Sequence, residues 1–359
     1  MQIVAGVDCH KATHTVVFLT AVGEVRGELT FPTTPDGYEA ALGEAAKLGC
    51  VEWAIEGSGL YGYAFAVYAS ASGSAVFEVP GLYTKRHRRH GSHHGKSDSR
   101  DAKAIAEVLL RERGRLSQFC LATIQRALRM RYDQRDRLVR ERTNAANRLR
   151  SAAVLIGVPE LPTDITATKT ARHLGSVAAK LRRSVPVDYA NAAVLDEIED
   201  AAETIQRLNL KIKEVEQVIR PLVRRIAPEL LDLHGVSEVA AAGLIGHTGD
   251  LRNLRDAAAF AMKCGASPIQ CSSGKREAVR VNLGGDRQLN RLLHVAAMSQ
   301  VRRSDHPGRV YYDRKRTEGK THLGAMRCLK RTLATIIFYR LRAVHRRLEA
   351  PDNGISVAA

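Results

Sequence analysis

Runs and alternations of apolar residues divide the first eighty positions into short extended segments and two helices. QIVAGVD (2–8), HTVVFLT (14–20) and EVRGELT (24–30) are β-rich stretches separated by turn residues, and two of them alternate in part. They predict a three-stranded meander. PDGYEAALGEAAKLG follows with helix-forming composition behind a Pro-Asp start, VEWAIEG reads as a buried strand, LYGYAFAVYASAS as a helix and SAVFEVP as another strand. A further helix is expected from about Ser99 to Arg113, and a long Arg-rich one over 124–153. Residues 157–187, broken by Pro159, Pro162 and Pro186, predict a connector with short helices.

From Ile198 the period changes. Ile198, Ile205, Ile212 and Ile219 fall on one heptad position and Ala201, Leu208, Val215 and Leu222 on the other, which predicts a coiled-coil seam. Either a second copy of the chain or the helix at 124–153, folded back, would bury the same stripe. The last third opens with LLDLHGVSEVAAAGLIGHTGDL, two helical stretches about a glycine turn. It resembles a helix-hairpin-helix, with Ser237 where a second glycine is expected. A loop-rich stretch, GASPIQCSSGKREAVRVNLGGD, feeds a helix from about Asp286. A final basic helix runs to about Leu348, with Met326, Leu329, Leu333, Ile336 and Ile337 expected inward.

Three hairpin strands followed by alternating helices and strands is the order of a ribonuclease-H-like α/β domain. The expected architecture is α/β plus α: this domain over 1–122, a helical coiled-coil region over 123–226, a mostly helical domain over 227–350 and a tail at 351–359. Six cysteines without a C-x-x-C pair suit a reducing compartment, and neither a leader signal nor an apolar run of about 20 residues is present. The expectation is a soluble, cytoplasmic protein with no membrane partner.

Charge sharpens this picture. The net charge is +17; residues 1–80 hold three Lys/Arg against nine Asp/Glu, whereas 275–347 hold nineteen against five. An acidic first block followed by basic segments fits a carboxylate site in a molecule that grips a polyanion. Asp8 ends the first strand, Glu56 ends the fourth, and Asp98 and Asp101 share a helical face, so four carboxylates could converge. Such a group repels itself unless cations neutralise it, and hard oxygen ligands suit a pair of Mg²⁺ ions. Around Asp98, HRRHGSHHGKSDSRDAK (87–103) has zinc-like histidine spacing, but Gly91 and Gly95 break helical geometry and no cysteine is near. The stretch reads better as a basic loop for phosphates, with Lys85, Arg86, Arg88, Arg89 and Lys96. In CSSGK a serine precedes glycine beside Lys275, Arg276 and Arg280, where an attacking hydroxyl would find cations.

GVDCHK with Asp8, AIEGSG with Glu56, KSDSRDA with Asp98 and Asp101, and GASPIQCSSGK followed by GGDRQLNRLLHVAA resemble the motifs of the insertion sequence 110 family of transposases, which includes pilin-gene invertases and bridge-RNA-guided recombinases. The resemblance implies a RuvC-like nuclease domain whose Asp8, Glu56, Asp98 and Asp101 hold a pair of Mg²⁺ ions, with Mn²⁺ able to substitute. It also implies a C-terminal domain in which Ser273 forms a covalent phosphoserine link to DNA; Ser272 is its rival in the doubled serine. Donor and target DNA, a structured noncoding guide RNA and a homodimeric or homotetrameric assembly are the implied partners, in a bacterial cytoplasm at the nucleoid. GASP in place of Gly-Leu-x-Pro departs from the pattern. Three other readings compete: a RuvC-like Holliday-junction endonuclease using water as nucleophile, an actin-like ATPase, for which a Gly-Thr-rich phosphate turn is missing, and a non-catalytic RNA-binding descendant.

Overall fold

In the computed structural model, residues 3–57, 61–81, 83–84, 97–119, 124–156, 164–184, 189–249, 251–271 and 279–349 are described. The chain divides into two compact units, Met1–Thr123 and Ile124–Ala359.

The first unit is a six-stranded sheet. β1 (Ile3–Cys9), β2 (Thr13–Thr20) and β3 (Val25–Pro32) form the antiparallel meander; α1 (Pro35–Leu48), β4 (Cys50–Glu56), α2 (Tyr63–Ala71), β5 (Ala75–Val79) and α3 (Asp98–Glu112) follow, and β6 (Ser117–Gln118) closes the edge. The spatial order is β3-β2-β1-β4-β5-β6, with β4 parallel to β1 and to β5. This is the ribonuclease-H-like order that the pattern predicts; the two-residue β6 is too short to carry a sequence signal.

Strand alternation decides which helix meets which face. Ile3, Ala5, Val7, Trp53 and Ile55 join α1 and α2 residues such as Tyr38 and Phe65 in one core, whereas Val4 and Ala54 join Ala102, Ile105 and Leu109 of α3 in another. The sheet is therefore covered on both faces. α1 starts at Thr34, whose side chain accepts from Gly37 N, and stops at Gly49 in the left-handed region. Gly6 lets α3 approach: a Cβ there would lie 2.2 Å from Ala102 O and 2.3 Å from Ala106 N.

The second unit is helical. α4 (Ile124–Leu155), α5 (Thr168–Ser184), α6 (Tyr189–Ile226), α7 (Pro228–Leu231), α8 (Glu238–Thr248) and α9 (Ala257–Lys263) precede a small hairpin, β7 (Ile269–Gln270) and β8 (Val279–Arg280). α10 (Arg287–Arg302), α11 (Pro307–Thr317) and α12 (His322–Glu349) complete it. α4 and α6 run antiparallel, as the pairs Arg135 with Glu216, Arg142 with Asn209 and Arg148 with Asp200 require. The heptad seam is filled from within the chain: Ala201 and Ile205 pack on Ala145, Ala146 and Leu149 of α4 and Ala171 of α5, and Ile198 on Ala152 and Ala178. Val215, Ile219 and Val223 instead belong to the large core that includes Leu128, Leu244, Leu293 and Leu333.

Two details in this unit differ from the pattern. Ile336, expected inward on α12, is 38% exposed, because the buried stripe runs through Leu329, Leu333 and Ile337. Ser237 caps α8 by accepting from Ala240 N, while Gly235 takes φ +89°, with α10 so close that a Cβ would lie 2.8 Å from Ala296 O.

Candidate catalytic carboxylate site

The same alternation that places α3 on one face of the sheet places the acids there too. Asp8 follows Val4 and Gly6 at even spacing on β1, and Glu56 follows Ala54 on the neighbouring parallel strand, where Val7 pairs with Ile55. Asp98 and Asp101 stand in the first turn of α3, behind Ser97, whose side chain accepts from Arg100 N. The positive end of the helix favours carboxylates in that turn. Three elements thus deliver four acids to one end of the sheet.

The electrostatics follow. Burial, first, holds the Asp8 carboxyl above the ordinary carboxylate range, and the negative charges of Asp101, Asp98 and Glu56 push the same way while His10 opposes them. The Cys9 thiol is also driven up, by burial and then by Asp8 and Glu56, which keeps it a protonated thiol and not a soft metal ligand. Asp101 is buried at 6% exposure, and a Cβ on Gly81 would lie 2.7 Å from Glu56 Oε1, so that glycine gives the carboxylate its space.

His10 is the residue that sequence reasoning passed over. Its Nε2 lies 3.3 Å from Asp8 Oδ2 and 3.3 Å from Asp98 Oδ1, and one ligand atom from each of the three side chains falls within 4.8 Å of the others. The two contacts have the distance of an ion pair without the alignment of a hydrogen bond. GVDCHK contains this histidine, but only the return of α3 to the end of β1 brings it between two acids. The oxygen-rich donor set, gathered against its own repulsion, fits a hard divalent cation.

The basic and nucleophilic candidates are placed less completely. Lys85, Arg86, Arg88, Arg89, Lys96, Ser272, Ser273, Lys275 and Arg276 lie outside the described residues. Arg280, at the end of β8, is exposed and lines a cleft of about 440 Å³ together with Val281, Lys320, Arg327 and Lys330. No described helix is long and apolar enough to cross a membrane.

Comparison with known proteins adds the family. A family model for DEDD transposases, described as Transposase, matches residues 5–157, and another, described as Transposase IS116/IS110/IS902 family, matches 227–313. The insertion element IS116 uncharacterized 44.8 kDa protein of Streptomyces clavuligerus is 26% identical over 100% of this chain and 98% of its own length. The IS900 uncharacterized 42 kDa protein of Mycobacterium paratuberculosis is 26% identical over 94% of this chain and 95% of its own. Among solved structures, Thermus thermophilus RuvC in complex with a Holliday junction substrate aligns at 16% identity, covering 33% of this chain and 100% of that one, with a TM-score of 0.28. With one match over the carboxylate-bearing sheet and another over the helical unit, in the order in which the motifs occur, the chain belongs to the IS110 family of insertion-sequence DNA transposases.

Proposed function

We propose that this transposase cuts, exchanges and rejoins DNA strands through a covalent link to Ser273, assisted by Mg²⁺ held by Asp8, Glu56, Asp98 and Asp101. The observation that carries the metal reading is the gathering of acids about the partly buried Asp8, where ligand atoms of Asp8, His10 and Asp98 fall within 4.8 Å of one another and burial, then the charges of Asp101, Asp98 and Glu56, hold the Asp8 carboxyl up. A fold keeps such repulsion where a cation relieves it in use. When bound, two Mg²⁺ ions would stabilise the attacking and leaving oxygens of a phosphoryl transfer.

The protein's own part is to gather and orient. β1 and β4 fix Asp8 and Glu56, α3 fixes Asp98 and Asp101, and cations beside Ser273 in the sequence, Lys275 and Arg276, would offset charge on the phosphate. In the transfer, the bond from Ser273 Oγ to phosphorus forms, the bond from phosphorus to one DNA oxygen breaks, and the released strand leaves as an alcohol with the serine's proton. One phosphodiester is exchanged for another. Rejoining by the reverse step therefore requires no ATP.

A guide RNA that selects donor and target by pairing, and a homodimer or homotetramer in which one subunit's acids meet another's serine, complete the reading. With the heptad seam spent inside the chain, such an assembly would use other surfaces. Division of the helical unit into a helical linker and oligomerisation region (123–226) and a serine-bearing transposase domain (227–350), and a helix-hairpin-helix at 230–251, belong to the same proposal. Since Ser237 caps α8, a phosphate at that turn would be met by backbone amides.

The test is a strand-cleavage assay with the full chain, Mg²⁺, its flanking noncoding transcript and DNA bearing the element's ends, read on a denaturing gel for protein-linked DNA. The wild type and Ser272→Ala should form the adduct, whereas Ser273→Ala should not. Continued cutting by Ser273→Ala without an adduct would transfer the case to the water-using junction endonuclease. Sequencing of RNA co-purified from cells carrying the flanking DNA tests the guide.

A further inference from the structure

The helical unit holds a second concentration of like charge, around Lys330. On α12 the buried stripe of Met326, Leu329 and Leu333 leaves Arg327, Lys330 and Arg331, at i, i+3 and i+4, on an adjoining face. That face lines the cleft of about 440 Å³ and a neighbouring one of about 400 Å³, which share Arg327 and Lys330. Arg280 and Lys320 line the first and Arg287 the second. No described residue lining either is acidic.

The balance of charge is what separates this patch from an ordinary solvated face. Arg291 and Lys315, which also line the clefts, are matched by Asp136 and Glu318. The six cations Arg280, Arg287, Lys320, Arg327, Lys330 and Arg331 have no carboxylate within ion-pair distance among the described residues. Lys330 is only partly exposed; its Nζ donates to Asn290 Oδ1 at 2.7 Å, a neutral partner. Burial, and then the charge of Arg327, hold its pKa below the ordinary lysine value, so an anion in the cleft would remove a standing cost.

The cleft's position identifies the anion. Its wall includes Pro268 and Arg280, which lie next to the two strands of the β7–β8 hairpin or within them, and that hairpin carries residues 271–278 with the doubled serine. We propose that this cleft seats a backbone phosphate of the DNA strand next to the serine loop, with Arg327 and Lys330 as its principal contacts and Arg280 and Arg331 beside them. The choice of DNA rests on the function proposed above; the preference for a phosphodiester rests on the cleft's own charge and shape.

The test reads binding and not cleavage. Full-length protein is titrated with a fluorescein-labelled DNA duplex of arbitrary sequence, and with an RNA hairpin, at several salt concentrations. For R327Q/K330Q the slope of log affinity against log salt on DNA should shrink by about 2, one released counterion set per lost phosphate contact, with affinity down roughly tenfold at physiological salt. R327K/K330R should restore the slope. R280Q/R327Q, on exposed side chains, gives the same readout if Lys330 variants fold poorly, and R255Q, far along the chain on an exposed Arg–Asp pair, should leave it unchanged. S273A should bind with the wild-type slope while forming no adduct, so failure of the serine mechanism and failure of the cleft are separate results. An unchanged DNA slope in both charge-removing variants overturns the proposal, as does a loss confined to RNA.

Discussion

The acids around Asp8 and the cations around Lys330 put like charge beside like charge, while a third cluster, around Asp136, does the opposite. Asp136 is 4% exposed, yet Arg291 Nη2 reaches one of its oxygens at 2.6 Å and Arg140 Nη2 the other at 2.6 Å, with Gln288 at 3.4 Å and Tyr132 OH donated to by Arg291. Burial pushes its carboxyl up, but Arg291 and Arg140 outweigh that and leave it below the usual range. Asp8, which among the described residues has His10 and no arginine at ion-pair distance, stays above it, held up first by burial. Matched charge of the Asp136 kind fastens α4 to α10. On the readings proposed above, the like charge gathered at Asp8 and at Lys330 would be met by a partner of opposite sign, a cation in one unit and a phosphate in the other.

The largest effect expected from breaking this contrast is at Asp8. Asp8→Asn removes a proposed metal ligand and one source of repulsion together. Strand cleavage should fall by about 10³-fold or more, by loss of metal-assisted charge stabilisation. In thermal scans without divalent ion, the variant should melt no lower than the wild type. Added Mg²⁺ should raise the wild type's midpoint by mass action and leave the variant's in place. A variant that loses stability without metal, as a matched acid would, breaks the comparison.

Next in size is Gly6→Ala, which tests the approach of α3. A Cβ at 2.2 Å from Ala102 O meets backbone, so the helix carrying Asp98 and Asp101 must move. Overpacking of this kind costs about 1–3 kcal/mol, and a shift near 1 Å at a catalytic group costs roughly 10²-fold in rate. Gly43→Ala, on α1 with nothing within 4 Å of the added carbon, is the control: it should stabilise by about 0.5–1 kcal/mol without loss of cleavage. Urea titrations and initial rates on the two variants separate packing from chemistry.

This glycine also shows where sequence reasoning stops. The meander and the helix at Asp98 are legible because alternation and capping residues act within a few positions, and Asp8, Glu56, Asp98 and Asp101 sit at element ends that the same patterns mark. The heptads of α6 were equally plain, but a stripe of Ile and Leu is buried alike by a second chain or by α4, so its partner was not written in it. Gly6, Gly81 and His10 carry no local signal. Their roles arise from the packing of α3 on β1 and from the approach of residue 81 to Glu56, contacts between segments more than twenty residues apart. The two-residue β6 and β7 fall below any period.

The smallest effect on chemistry, with a measurable one on stability, is expected at the matched cluster. Asp136→Asn keeps shape but removes the charge that Arg291 and Arg140 address. The partners are about half exposed, which limits the loss to roughly 1–3 kcal/mol, the cost of spoiling a buried charge-assisted hydrogen-bond set. The sign of its pH dependence is fixed: a carboxyl whose folded pKa lies below its unfolded value stabilises above the unfolded value, and that contribution fades as pH falls through the folded one. Urea midpoints for the helical unit's transition should therefore differ between wild type and Asp136→Asn at pH 7 and converge in acid. Cleavage per folded molecule should stay within about twofold of the wild type, since nothing at Asp136 awaits a metal or a phosphate. If the midpoint gap instead widened in acid, Asp136 would belong with Asp8 among the unmatched charges, and the division of this molecule into fastened and waiting charge would fail at its clearest example.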